Sequence, residues 1–112
     1  MTENKAVPAL TIFDDIVLPV DKVDDWFARW RADYLPAATE RGLQLTGAWR
    51  GFTEDPASVA VVLQWTLPTV GAFFSSRGKG GADPAVAHFW VATDQIAIRR
   101  ERRVLQNAGI VR

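Results

Sequence analysis

The side chain with the clearest chemical potential is Asp14. Residues 9–18, ALTIFDDIVL, are rich in β-branched and aromatic types and are closed by Pro19, which is the composition of a strand. Alternation with a period of two puts Asp14 on one face with Leu10, Ile12, Ile16 and Leu18. Burying a carboxylate is costly unless it is paired, and one that stays unpaired is suited to accept or deliver a proton. The alternatives are a place near a sheet edge or an ion pair with an arginine, either of which makes Asp14 structural. Asp15 points the other way, and the expected partner for it is Arg50.

A set of aromatic residues accompanies this carboxylate. Trp26, Trp30, Trp49, Trp65, Phe89 and Trp90 are the expected substrate-binding side chains, because aromatic-lined concavities hold flat apolar or aromatic ligands. The competing reading is an aromatic core. Tyr34 is placed to position a substrate carbonyl. His88 is the single histidine, so no multi-histidine metal site is possible. On a helical wheel it lies with Gln95, opposite the apolar arc. A catalytic His88 would require the helix to bend or a partner chain to cover it. The run Arg77-Gly78-Lys79-Gly80-Gly81 lacks the spacing and the final Lys-Ser/Thr of a phosphate-binding loop, and reads as a flexible flap over the cleft.

These residues need elements to hold them. In DKVDDWFARWRADY, residues 21–34, Val23, Trp26, Phe27, Trp30 and Tyr34 fall in one arc of about 100°, the stripe of an amphipathic helix. Asp21 is its expected N-cap. Leu35-Pro36 should interrupt it, residues 37–41 add a turn, and Gly42 is the expected C-cap. Strands are expected at 43–50 and 59–66, joined as a hairpin across Asp55-Pro56. On the first, Leu43, Leu45, Gly47 and Trp49 share one face and Gln44, Thr46, Ala48 and Arg50 the other. A short helix is expected at 68–76, a loop at 77–84 and a helix from Pro84 to about Ile98. Residues 99–106 are read as a final strand, with a longer helix as the alternative. The order strand, helix, strand, strand, helix, strand is the ferredoxin-like βαββαβ pattern of an α+β fold with an antiparallel sheet.

Composition bounds the rest. The 112 residues suffice for one domain, expected at 9–106 between tails at 1–8 and 107–112. The absence of cysteine excludes disulfides, thiolate metal sites and a cysteine nucleophile. With no signal-like start and no apolar run of spanning length, the chain reads as cytoplasmic with no membrane partner. The net charge is zero, but residues 56–112 carry three acids against seven bases. The patch at Arg99, Arg100, Arg102 and Arg103 is interrupted by Glu101 and reads as charged flanks rather than a nucleic-acid surface. The sheet face away from the helices, with Phe13, Val17, Ala48, Ala60 and Val62, is apolar enough to require cover. A homodimer supplies that most simply.

The element order, together with VVLQWTLPTVGAFF at 61–74, resembles the dimeric α+β barrel superfamily across roughly residues 9–106. This group includes antibiotic-biosynthesis-type monooxygenases, haem-degrading monooxygenases, polyketide cyclases, stress-responsive barrel proteins and NIPSNAP-like proteins. The resemblance implies a pocket between helices and sheet, lined by a polar residue on the first strand and the tryptophan ending the third, here Asp14 and Trp65. It implies a cofactor-independent monooxygenase or cyclase acting on a flat aromatic or polyketide-like substrate, or else a non-catalytic ligand-binding dimer. Haem degraders of the group carry asparagine at the first position and an axial histidine on the following helix. Here Asp14 occupies the first position, and no histidine lies between Trp65 and the glycine-rich run. A haem enzyme is therefore an alternative, and the expected cofactor is none.

Overall fold

The computed structural model describes residues 10–108. Strands β1 (Leu10–Pro19), β2 (Gln44–Phe52), β3 (Ser58–Leu67) and β4 (Arg99–Gln106) form one antiparallel sheet in the order β2-β3-β1-β4. Helices α1 (Val23–Arg29) and α2 (Leu35–Glu40), joined by a π turn at Trp30–Tyr34, link β1 to β2. Helices α3 (Val70–Ala82) and α4 (Pro84–Ile96) link β3 to β4. This is the expected ferredoxin-like α+β fold, with the second helical connection doubled. Residues 99–106 are a strand. The tails expected at 1–8 and over most of 107–112 lie outside the described residues. Among the described residues, no helix is long and apolar enough to cross a membrane.

The helices cover one face of the sheet. Ile12, Ile16, Leu18, Val61, Leu63, Trp65 and Leu67 point into that layer and meet Val23, Trp26, Phe27, Trp30, Tyr34 and Phe89, all of them buried. The predicted helical stripe is therefore the core face. Its first turn starts at Val23, with Lys22 rather than Asp21 in the N-cap position and no side-chain cap. Asp24 and Asp25 still stand where the helix dipole favours them.

Pro36 does not break the helix. In a regular α-helix its ring would meet the carbonyl four residues back, and its missing N–H would leave that carbonyl unbonded. The preceding turn widens instead, and the Leu35 N–H reaches back five residues to the Trp30 carbonyl. The chain then continues as α2 and closes at Gly42, where φ is 101°. There the Leu43 N–H bonds to the Ala38 carbonyl and the Gly42 N–H to that of Thr39, both at 3.0 Å. This is a Schellman cap, and glycine suits its left-handed position.

Strand β2 departs from simple alternation. Leu45 pairs with Trp65, but Gly47 pairs with Gln64, so one extra residue is inserted between them. Such a β-bulge reverses the parity of everything after it. Ala48 and Arg50 consequently face the helices, opposite Leu63 and Val61, and Trp49 faces the open side opposite Val62. The expected faces of Trp49, Ala48 and Arg50 are thus corrected. Arg50 pairs with Asp24 at 2.7 Å and lies over the Phe27 ring, while Asp15 pairs with Arg103 of the neighbouring β4 at 3.1 Å.

The glycine-rich run also departs from expectation, since residues 77–82 are the second half of α3 rather than a loop. Thr69 caps this helix, its hydroxyl accepting from the Ala72 N–H at 3.0 Å. Asp83 caps α4 in the same way through Ala85.

On the open face, the Trp49 indole lies across Gly47, where a Cβ atom would overlap the ring. Gly47→Ala is expected to cost about 1 kcal/mol, the scale of one displaced rotamer. That cost should vanish in a Trp49→Ala background, as read by urea unfolding of the double-mutant cycle. Equal costs in both backgrounds would place the indole elsewhere.

Candidate functional site

The site starts from a cross-strand pair. Strand β1 lies between β3 and β4, and the register sets Asp14 directly opposite Arg102 on the helix-covered face. Side chains directly opposed in an antiparallel pair are close enough to interact. Asp14 is 2% exposed. Its Oδ1 accepts from Arg102 Nε at 2.6 Å, and its Oδ2 accepts from Arg102 Nη2 and Trp65 Nε1, both at 2.9 Å. Of the environments weighed for this carboxylate, the arginine-paired one is found. Burial works to lower the pKa of Arg102, but the hydrogen bond and charge of Asp14, with a contribution from Tyr34, outweigh it and raise the pKa.

A second ring of contacts surrounds the pair. Arg102 Nη2 also donates to the Tyr34 hydroxyl at 3.3 Å, and Arg41 Nη2 donates to the same oxygen at 3.2 Å. The Arg41 guanidinium lies 5.5 Å from the Tyr34 ring centroid. Arg41 sits at the α2 C-cap, so the glycine turn that ends the helix also delivers this side chain. Arg100, two residues before Arg102 on the same face, grips Asp94 through Nε at 2.6 Å and Nη2 at 2.9 Å. Its guanidinium stands 4.6 Å above the Trp90 ring. The hydrogen bond from Arg100 holds the Asp94 carboxyl below its ordinary value.

These groups line a cavity of about 320 Å³ between the sheet, α3 and α4. Its apolar wall includes Ile12, Leu43, Phe73, Val86 and Trp90. Its polar groups are Tyr34, Ser76, Arg41, Arg77, Arg100 and Arg102, with no carboxylate among the lining residues. Tyr34 is 1% exposed, and its oxygen already receives two N–H groups. Its own proton has no acceptor among the described residues and is free to meet a ligand oxygen. The cavity is therefore equipped to bind and stabilise negative charge rather than to remove protons with a free base.

The structure brings together part of the predicted set. Tyr34 and Trp90 line the cavity, with ring centroids 5.0 Å apart, and Asp14 stands one contact behind them through Arg102. Trp26, Trp30, Trp65 and Phe89 form the buried aromatic layer beneath, where Trp26 stacks on Trp30 and donates to Thr93. Trp49 lies on the far side of the sheet, moved there by the bulge. His88 is exposed on α4 and does not line the cavity, because α4 buries Phe89 and Thr93 instead.

Arg41 is not singled out by the sequence, and Arg77, Arg100 and Arg102 read there as part of a flap and of a charged flank, not as site residues. One signal was available: in this strand order β4 adjoins β1, and alternation puts Arg100 and Arg102 on the face that holds Asp14. The lining residues do not fit haem. They include no histidine, cysteine or methionine, and the Tyr34 oxygen is engaged by two guanidiniums.

Asp14→Asn should strand the Arg102 guanidinium against the buried layer. A loss of about 2 kcal/mol or more in urea unfolding is expected, with much of it recovered when Arg102→Met is added. Unchanged stability in the single variant would mean that the pair does not hold the site.

No family profile matches the chain, and no curated protein matches it. Solved structures do. A NIPSNAP domain protein from Burkholderia xenovorans superposes with a TM-score of 0.71 at 19% identity, over 92% of this chain and 98% of that one. A NIPSNAP family protein from Agrobacterium tumefaciens gives a TM-score of 0.73 at 14% identity, over 98% and 95%. A candidate antibiotic biosynthesis monooxygenase from Nitrosomonas europaea gives 0.58 at 10% identity, over 98% and 96%. The chain therefore has a ferredoxin-like α+β fold, which it shares with these NIPSNAP and antibiotic-biosynthesis-monooxygenase-type structures.

Proposed function

We propose that the protein is a small-molecule enzyme of the monooxygenase or cyclase type. It acts without a resident cofactor on a flat aromatic or polyketide-like substrate in the cavity beside Trp90. The observation that carries this reading is the buried Tyr34 hydroxyl, which accepts from Arg41 and Arg102 and keeps its own proton for a ligand. Preorganised donors of this kind favour the enolate or phenolate form of a bound substrate. The substrate's proton leaves to water, and its charge rests on Tyr34 and the guanidiniums. The electron-rich carbon that results is open to dioxygen or to a carbonyl of the same molecule. Asp14 is then a positioning residue that fixes Arg102, and His88 has no part in the reaction.

A second reading, a non-catalytic ligand-binding protein, is favoured by one feature: the cavity lining includes no carboxylate or imidazole to act as a base. We also propose a homodimer. Its contact would lie on the open sheet face, where Phe13, Val17 and Val62 are only partly covered and Trp49 is half exposed.

Oxygen consumption with a dihydroxynaphthalene under air tests the enzyme. Turnover is expected, and Tyr34→Phe should lower kcat by about a hundredfold while the melt stays cooperative. Binding without turnover in the parent protein would select the second reading. Sedimentation equilibrium at micromolar concentration should give twice the chain mass, and a monomer would remove the dimer.

A further inference from the structure

Four guanidiniums line the cavity, and two of them are neutralised inside the fold. Arg102 is matched by Asp14 and Arg100 by Asp94. Arg41 and Arg77 have no carboxylate within ion-pair distance among the described residues. Arg77 rests over the Phe73 ring at 5.8 Å, on the cavity wall. Arg41 gives Nη2 to Tyr34, but its Nε and Nη1 are buried and have no acceptor among the described residues. Leaving charged donors buried and unmatched is costly, so a site that does so is built for an anion from outside.

The neighbouring helix makes room for this cation. A side chain at Gly80 would put its Cβ 3.1 Å from Arg41 Nε, closer than ordinary packing allows. Gly78, Gly80 and Gly81 lower the helix propensity of α3, and Gly80 and Gly81 both line the cavity. The helix therefore presents almost bare backbone where the guanidinium lies. Around that cationic corner the wall is apolar and aromatic, which suits a ligand with a hydrophobic ring rather than a hydrated inorganic ion.

Resting on the reading of this cavity as a small-molecule site, we propose that its ligand is a planar aromatic carboxylate. The acid group meets Arg41 and Arg77, and the ring lies against Trp90 and Leu43. The Tyr34 hydroxyl then faces a second oxygen on the same ring system. A carboxylate supplies the acceptors that Arg41 lacks, and charge-assisted hydrogen bonds to it are stronger than neutral ones.

Calorimetric titration with a naphthoate, the matching naphthol and inorganic phosphate tests the assignment. The naphthoate should bind at least about tenfold more tightly than the naphthol, and added salt should erode that margin. Arg41→Gln should abolish the margin, weakening the naphthoate at least about tenfold more than the naphthol. Gly80→Ala, which crowds Arg41 but restores helix propensity, should keep the melt intact and weaken the naphthoate more than the naphthol. Equal affinity for naphthoate and naphthol would overturn the carboxylate assignment and leave the small-molecule site standing. Displacement of the naphthoate by equimolar phosphate would also overturn it. Binding of neither aromatic probe would overturn the site reading, and the present inference with it.

Discussion

The structure turns on a carboxylate buried at the centre of a sheet. Taking Asp14 out of water is tolerable only because three N–H donors from two strands converge on its two oxygens. That requirement orders its neighbours. Trp65 must point its indole nitrogen along the sheet, and this sets the plane on which Trp30 and Tyr34 pack. Arg102 must lie flat with its fork toward β1, which leaves a third hydrogen bond for Tyr34. Tyr34 in turn gathers Arg41. A chain of contacts thus runs from the sheet centre to the cavity wall, and the cavity inherits its positive character from what Asp14 needs.

Two one-residue irregularities decide which side chains reach that chain of contacts. The widened turn before Pro36 adds a residue to the helix and carries it on to Arg41. The bulge in β2 adds a residue to a strand and turns Trp49 away. Both act through phase: an extra residue rotates everything downstream, so a small local change relocates a large side chain.

Much of the fold could be read from the chain because its periodicities are strong. The stripe Val23, Trp26, Phe27, Trp30 and Tyr34 is the buried face, Asp14 lies on the helix-covered side, and the element order gives the strand order. What could not be read has identifiable physical causes. Bulges carry no pattern of their own, so alternation through Gly47 assigned Trp49 to the wrong face. Glycine propensity argued for a loop at 77–82, but one cap at Thr69 and packing against Arg41 keep that segment helical. Of the site arginines, Arg100 and Arg102 were visible as part of a charge cluster. Their role depends on a cross-strand register that composition does not contain. Among the aromatics, type alone could not separate core from cavity wall: Trp65 on β3 is fully buried, whereas Trp90 on α4 is only partly covered.

The outermost strands have a consequence for how copies of this chain can meet. Edge strands present unpaired backbone groups that invite other chains to extend the sheet. Here β2 is interrupted by its bulge, and β4 is exposed along its length and carries four arginines and a glutamate in RRERRVLQ. Irregularity blocks continuous pairing at one edge, and like-charge repulsion together with strongly hydrated side chains opposes it at the other. The arginines at 100 and 102 that electrify the cavity belong to the same run as those that guard the border. Replacing them with apolar residues would therefore alter colloidal behaviour as well as the charge of the cavity, and sheet-by-sheet polymerisation is the failure that this arrangement opposes.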